Sequence, residues 1–119
     1  MRPLANALSA VLATLLWLAD AAAGPAEVMG GADREVVTEG RTIFNVHCSH
    51  CHAPNAENPD PRTDLRRLRR RYGETMREVF YAAVTEGRPT KGMPPWKAAL
   101  SEETITKILT FLESVQTAP

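Results

Sequence analysis

Cys48-Ser49-His50-Cys51-His52 contains both cysteines of this 119-residue chain, and a histidine directly follows the second one. Two thiols at positions i and i+3 lie side by side on one helical turn. Both sulfurs can then reach the two vinyl groups on one edge of a haem, while His52 is held beneath the iron as an axial ligand. The spacing therefore predicts one covalently attached haem c, bound through Cys48 and Cys51 and ligated by His52.

Other uses of two cysteines at this spacing fit the sequence less well. A redox dithiol of the thioredoxin type needs a βαβ context, and no series of strands is predicted. A zinc site needs a second cluster of ligands, but all three histidines of the chain crowd around the cysteines at positions 47–52. A disulfide between Cys48 and Cys51 would close a very small loop and stabilise the chain little.

Residues 1–23 have the pattern of a secretory signal peptide. Arg2 supplies the positive charge, an Ala/Leu-rich stretch follows, and Ala21-Ala22-Ala23 offers small residues for cleavage. The apolar stretch carries polar residues and is too short for a membrane anchor. We therefore expect a mature chain in the bacterial periplasm, without stable membrane insertion.

The remaining sequence predicts one small all-α domain over residues 35–117, preceded by a flexible N-terminal segment at 24–34. Apolar residues recur at helical spacing, and the proline-rich stretches 53–61 and 88–97 are predicted loops. Either Thr63 or Asp64 can cap a short helix after the first loop. Gly87 is placed to end the next helix, and Ser101 to cap the last one.

The sixth position of the haem iron separates a carrier from an enzyme. The residues of the mature chain that could fill it are Met29, Met76, Met93, His47 and His50. Both histidines adjoin the attachment turn and cannot reach the opposite haem face. Met76 lies on the apolar stripe of a predicted helix, and Met29 in the flexible segment.

Met93 remains, in the segment Lys91-Gly92-Met93-Pro94-Pro95-Trp96, where glycine and proline stiffen an irregular loop. A thioether ligand favours Fe(II), raises the reduction potential and closes the iron to small ligands. Met93 therefore predicts a one-electron carrier and not an enzyme. The alternative is a haem enzyme or small-ligand sensor with an open sixth position.

These features resemble the small soluble class I c-type cytochromes over the whole mature length. The resemblance lies in the attachment motif, in Gly92-Met93-Pro94, and in the helical residues Gly40, Phe44, Phe111 and Leu112. It implies a small single-domain cytochrome c fold with the haem in the core. In that fold the N- and C-terminal helices cross, so that Gly40 and Phe44 meet Phe111 and Leu112.

The same resemblance implies that a proline carbonyl accepts a hydrogen bond from Nδ1 of the axial histidine, and Pro59 and Pro61 are both candidates. More narrowly, the segment 87–96 is similar to the Met-ligand segment of cytochromes that serve quinoprotein alcohol dehydrogenases. It implies redox protein partners: a PQQ-dependent dehydrogenase as donor, and a cytochrome or terminal oxidase as acceptor.

A chain with no formal net charge concentrates six arginines within residues 62–71. They are Arg62, Arg66, Arg67, Arg69, Arg70 and Arg71. One interpretation is a solvated helix face. The other is that one or two arginines neutralise the haem propionates while the rest dock an acidic partner. Nucleic acid is excluded by the compartment and by the absence of interleaved aromatic residues.

Overall fold

The computed structural model describes residues 30–117, so the predicted signal peptide, residues 24–29 and Met29 as a candidate ligand lie outside the described part. Five α-helices lie in this part: α1 (Gly31–His47), α2 (Ser49–His52), α3 (Leu68–Tyr72), α4 (Met76–Glu86) and α5 (Glu102–Ser114). Short 3-10 turns lie at Pro54–Ala56, Leu65–Arg67, Gly73–Thr75 and Pro89–Lys91. The predicted all-α single domain is confirmed. None of the helices within 30–117 is long and apolar enough to span a bilayer.

Helix α1 begins at Gly31, four residues before the predicted start of the domain at residue 35. The Asp33 carboxylate accepts a hydrogen bond from the Gly30 backbone N–H at 3.2 Å. The Gly30 carbonyl in turn accepts from the Asp33 N–H at 3.1 Å. Because these bonds satisfy groups that a helix start leaves unpaired, residues 31–34 of the predicted flexible segment continue the helix.

The first and last helices pack together around Gly40. A Cβ atom added at Gly40 would lie 2.7 Å from the carbonyl carbon of Lys107 and 3.1 Å from Cβ of Phe111. Next to this contact the rings of Phe44 and Phe111 lie 5.4 Å apart and are fully buried. The predicted meeting of Gly40 and Phe44 with the last helix is therefore confirmed, and glycine is what permits the close approach.

The ends of the other helices follow the predicted capping residues. Asp64 is the cap of the two predicted candidates, since its side chain accepts from the Arg66 N–H at 2.9 Å. Gly87 ends α4 with φ of 71°, a left-handed conformation that favours glycine. Ser101 Oγ accepts from the Thr104 N–H at 3.1 Å and starts α5. Met76, on α4, is 3% exposed and belongs to the hydrophobic core.

We predict that Gly40→Ala separates α1 from α5 and lowers the free energy of unfolding by about 1–3 kcal/mol or more, the usual cost of overpacking a core. Urea unfolding of the haem-bound protein measures this. Gly31→Ala is the matched control, because a Cβ there meets nothing within 4 Å. Equal stability of the two variants would contradict the assigned role of Gly40.

Candidate functional site

The attachment motif forms a single turn at the end of α1. The Cys48 N–H donates to the Phe44 carbonyl at 2.8 Å and ends that helix. The Cys48 carbonyl then accepts from the N–H groups of Cys51 at 3.2 Å and His52 at 3.0 Å. Both cysteines are free thiols, Cys51 exposed and Cys48 partly buried. This turn places the two sulfurs on one helical face, as their spacing predicts.

All four predicted site residues line one cavity of about 260 Å³. Cys48, Cys51 and His52 come from the attachment turn, and Met93 comes from the loop after α4. Apolar side chains of four helices complete the lining, among them Phe44, Leu68, Phe80 and Leu112. Residues 45 positions apart in the chain thus meet at one apolar cavity.

The charged residues that line this cavity are Arg62, Arg71, Arg88 and Lys91, all of them cations, and no described carboxylate joins them. Two thiols, an imidazole and a thioether on an apolar cavity with a cationic border fit a covalently held haem. The apolar part matches the macrocycle, and the cations match its two propionates. Within residues 30–117 there is no group of three or more His, Cys, Asp or Glu side chains that could hold a metal ion.

The hydrogen bond of His52 differs from the prediction. His52 Nδ1 lies 3.3 Å from the carbonyl oxygen of Thr63, not from that of Pro59 or Pro61. The Pro61 carbonyl instead accepts from the guanidinium of Arg71. The Thr63 N–H donates to the Asp60 carbonyl at 3.0 Å and closes a turn at this place. The prediction that a proline carbonyl bonds to His52 Nδ1 is therefore wrong, because the carbonyl at this position belongs to Thr63.

Sequence reasoning also missed an amide pair that holds the loop behind the attachment turn. The Asn45 side chain accepts from the Asn55 N–H at 2.8 Å and donates to Asn55 Oδ1 at 3.1 Å. Asn55 has φ of 56°, and its carbonyl accepts from Arg66 at 2.9 Å. An asparagine inside a helix is unfavourable by propensity, and this is the signal that could have singled out Asn45.

Backbone hydrogen bonds and one ring contact hold the Met93 loop. The N–H of Arg88 donates to the Met93 carbonyl at 2.8 Å, and the N–H of Met93 donates back at 3.1 Å. The Trp96 N–H donates to the Val84 carbonyl at 2.8 Å and ties the loop to α4. The Trp96 ring also lies edge-on to His47, with ring centroids 5.8 Å apart. The loop is thus held by both α4 and α1.

Of the other candidate ligands within residues 30–117, two lie away from the cavity and the third packs against a tryptophan. Met76 is buried in the core and does not line the cavity, and neither does the exposed His50. His47 reaches the cavity but packs against Trp96.

Burial and, to a smaller extent, the neighbouring Cys51 together raise the pKa of the Cys48 thiol to about 11. Before attachment Cys48 is therefore a neutral thiol at neutral pH. The exposed Cys51 is the more accessible of the two sulfurs.

Helices packed around an apolar cavity with a CxxCH turn at its wall define a c-type cytochrome domain. The chain belongs to the family described as cytochrome c oxidase, cbb3-type, subunit III, whose model matches residues 35–112. Domains of this family bind one covalently attached haem c and transfer electrons, so the predicted cofactor and the non-enzymatic role are confirmed. No curated protein and no solved structure matches the chain significantly.

We predict that Gly87→Ala damages the Met93 loop. A Cβ at Gly87 would lie 2.6 Å from the Pro95 nitrogen and 2.8 Å from the Met93 carbonyl oxygen, in addition to left-handed strain. The free energy of unfolding should fall by about 3 kcal/mol or more. Gly92→Ala is the control, because its φ is also positive but nothing lies within 4 Å. It should cost about 1–2 kcal/mol, measured in the same urea titration. A larger loss for Gly92→Ala would contradict this account.

Proposed function

We propose that this protein is a periplasmic one-electron carrier whose haem is attached through Cys48 and Cys51 and whose iron is ligated by His52 and Met93. The observation that supports this best is that all four side chains line the same cavity. When bound, the haem supplies reversible one-electron exchange between Fe(III) and Fe(II). The chain supplies the ligands, an apolar enclosure and cations at its border.

The residues around each proposed ligand limit its movement. With Nδ1 directed at the Thr63 carbonyl, His52 keeps Nε2 for the metal, and the hydrogen bond makes the imidazole a stronger donor. The backbone of Met93 is held by two hydrogen bonds to the backbone of Arg88. Ligands that stay in place on electron transfer keep the reorganisation small, as a carrier requires.

We predict that Met93→Ala opens the iron. The variant should bind carbon monoxide and cyanide readily and should have a lower reduction potential, because the soft thioether that favours Fe(II) is lost. Thr90→Ala is the control, since Thr90 is exposed in the same loop and does not line the cavity.

The same measurement tests the open-site alternative. If the native protein already binds cyanide as readily as the Met93→Ala variant does, the sixth position is open and the carrier assignment is wrong. An unchanged absorption spectrum and potential in Met93→Ala would also remove Met93 as a ligand.

The periplasmic location is supported by residues 1–23 and by the use of the two cysteines. A bare CxxC pair in an oxidising compartment tends to form a disulfide, whereas thioether bonds remove both sulfurs from thiol exchange. We propose a PQQ-dependent alcohol dehydrogenase as the electron donor, on the strength of the segment 87–96. A cytochrome or terminal oxidase is the proposed acceptor, in keeping with the oxidase subunit named in the family description.

The arginines of residues 62–71 divide into three groups. Arg62, Arg66 and Arg67 form ion pairs with Asp60, Glu57 and Asp64 at 2.9, 3.0 and 3.0 Å. Arg71 binds backbone carbonyls. The side chains of Arg69 and Arg70 are exposed and contact no partner among the described residues. We propose that Arg69 and Arg70 dock an acidic face of the redox partner. Both lie on α3, the helix whose Arg71 lines the cavity.

We predict that reduction of the protein by a PQQ-dependent alcohol dehydrogenase slows steeply as salt rises, because surface charges further apart than the Debye length of about 8–10 Å are screened near 0.1–0.15 M salt. Stopped-flow absorbance measures the rate. Arg69→Gln/Arg70→Gln should reduce the slope against salt more than Lys97→Gln, an exposed cation on another segment. A flat salt dependence would show that these arginines form only a solvated face.

A further inference from the structure

We propose that Arg71 is a positioning residue that fixes the hydrogen bond between His52 and Thr63, and through this bond sets the reduction potential. The proposal rests on the proposed ligation of the iron by His52. It concerns a part of the arginine cluster that neither ion pairing nor docking explains, because Arg71 has no carboxylate partner among residues 30–117.

The guanidinium of Arg71 lies against three backbone carbonyls. It donates to Pro61, and it lies 3.5 Å from the carbonyl of Arg62 and 3.3 Å from that of Asp64. These carbonyls flank Thr63 on both sides along the chain. Arg71 thus ties the segment that carries the Thr63 carbonyl to helix α3.

The other hydrogen bonds of this segment are local. The Asp60 carbonyl accepts from the Thr63 N–H at 3.0 Å, and the Asp60 carboxylate accepts from the Arg62 N–H at 2.9 Å. The Asp64 carboxylate also accepts from the Arg66 N–H at 2.9 Å and pairs with Arg67 at 3.0 Å, but both partners precede α3, whereas Arg71 binds from within that helix. Helix α3 is itself anchored, because Leu68 is buried in the core. Through Arg71, the anchored helix α3 therefore holds the Thr63 carbonyl in place.

The His52 bond is sensitive to such positioning. The distance from Nδ1 to the Thr63 oxygen is 3.3 Å, just beyond the usual range of about 2.7–3.2 Å for N–H···O bonds, so a small further displacement would break this bond. A stronger bond makes the imidazole a better donor and favours Fe(III), which lowers the potential. A loosened segment would weaken the bond and raise the potential.

Arg71 has a second effect of opposite sign. It lines the cavity, and a cation beside the haem favours the less positive Fe(II) state, which raises the potential. A substitution that removes the charge therefore mixes both effects. Lysine separates them, because its ammonium keeps the charge but cannot span several carbonyls as the planar guanidinium does.

The experiment compares Arg71→Lys and Arg71→Gln in the haem-bound protein. Potentials come from redox titration, and the exchange rate of the His52 Nδ1 proton comes from NMR. We expect Arg71→Lys to raise the potential and to speed this exchange about fivefold or more, the factor that corresponds to one lost hydrogen bond of about 1 kcal/mol. In Arg71→Gln the His52 Nδ1 proton should exchange as fast as in Arg71→Lys, but the reduction potential should be lower than in Arg71→Lys.

Arg77→Lys is the matched control. Arg77 also uses its planar guanidinium, bonding Glu113 through two nitrogens at 2.6 and 2.7 Å, but it does not line the cavity. This substitution should leave the potential and the His52 proton exchange unchanged. If Arg71→Lys behaves like this control, Arg71 acts only through its charge and the proposal is wrong. A wild-type His52 ring without the large upfield shift of a haem ligand in the reduced protein would overturn the proposed ligation itself. Urea unfolding confirms that each variant is folded.

Discussion

The close contact between Gly40 of α1 and the backbone of α5 at Lys107 is the constraint on which the rest of the structure depends. It brings the two longest helices of the described part together without a side chain between them. Phe44 fills the next turn of α1, packs on Phe111 and lines the cavity. Because the Cys48 N–H bonds back to the Phe44 carbonyl, the packing of this helix pair also fixes where the attachment turn begins.

Irregular segments, not helices, complete the site. The Met93 loop leaves α4 at Gly87, whose positive φ lets the chain pass against the backbone of residues 93–95. The loop before α3 brings the Thr63 carbonyl to His52. Each segment is held by backbone hydrogen bonds and by side-chain contacts to helices, Trp96 to His47 in the first and Arg71 and His52 in the second. Such a frame resists movement when the charge of the iron changes, and this suits electron transfer better than bond chemistry.

Those parts of the fold that depend on residue type could be predicted from the sequence. Cysteine spacing, a glycine at a helix crossing and serine or glycine at helix ends each have a physical reason that acts locally. The support of His52 could not be predicted, because every residue offers a carbonyl and only the path of the loop decides which one is near. The roles of the six arginines were also hidden, since ion pairing at Asp60 and Asp64 depends on that same path.

The charge around the cavity connects these observations. The whole chain has no formal net charge, yet every charged residue at the cavity in the described part, residues 30–117, is a cation. Cations there would offset the propionates and favour Fe(II), whereas a carbonyl directed at His52, the proposed axial ligand, would favour Fe(III). The potential of the carrier is then a balance between two opposing terms. Arg71 contributes to both terms. Its charge borders the cavity, and its hydrogen bonds hold the chain on either side of Thr63.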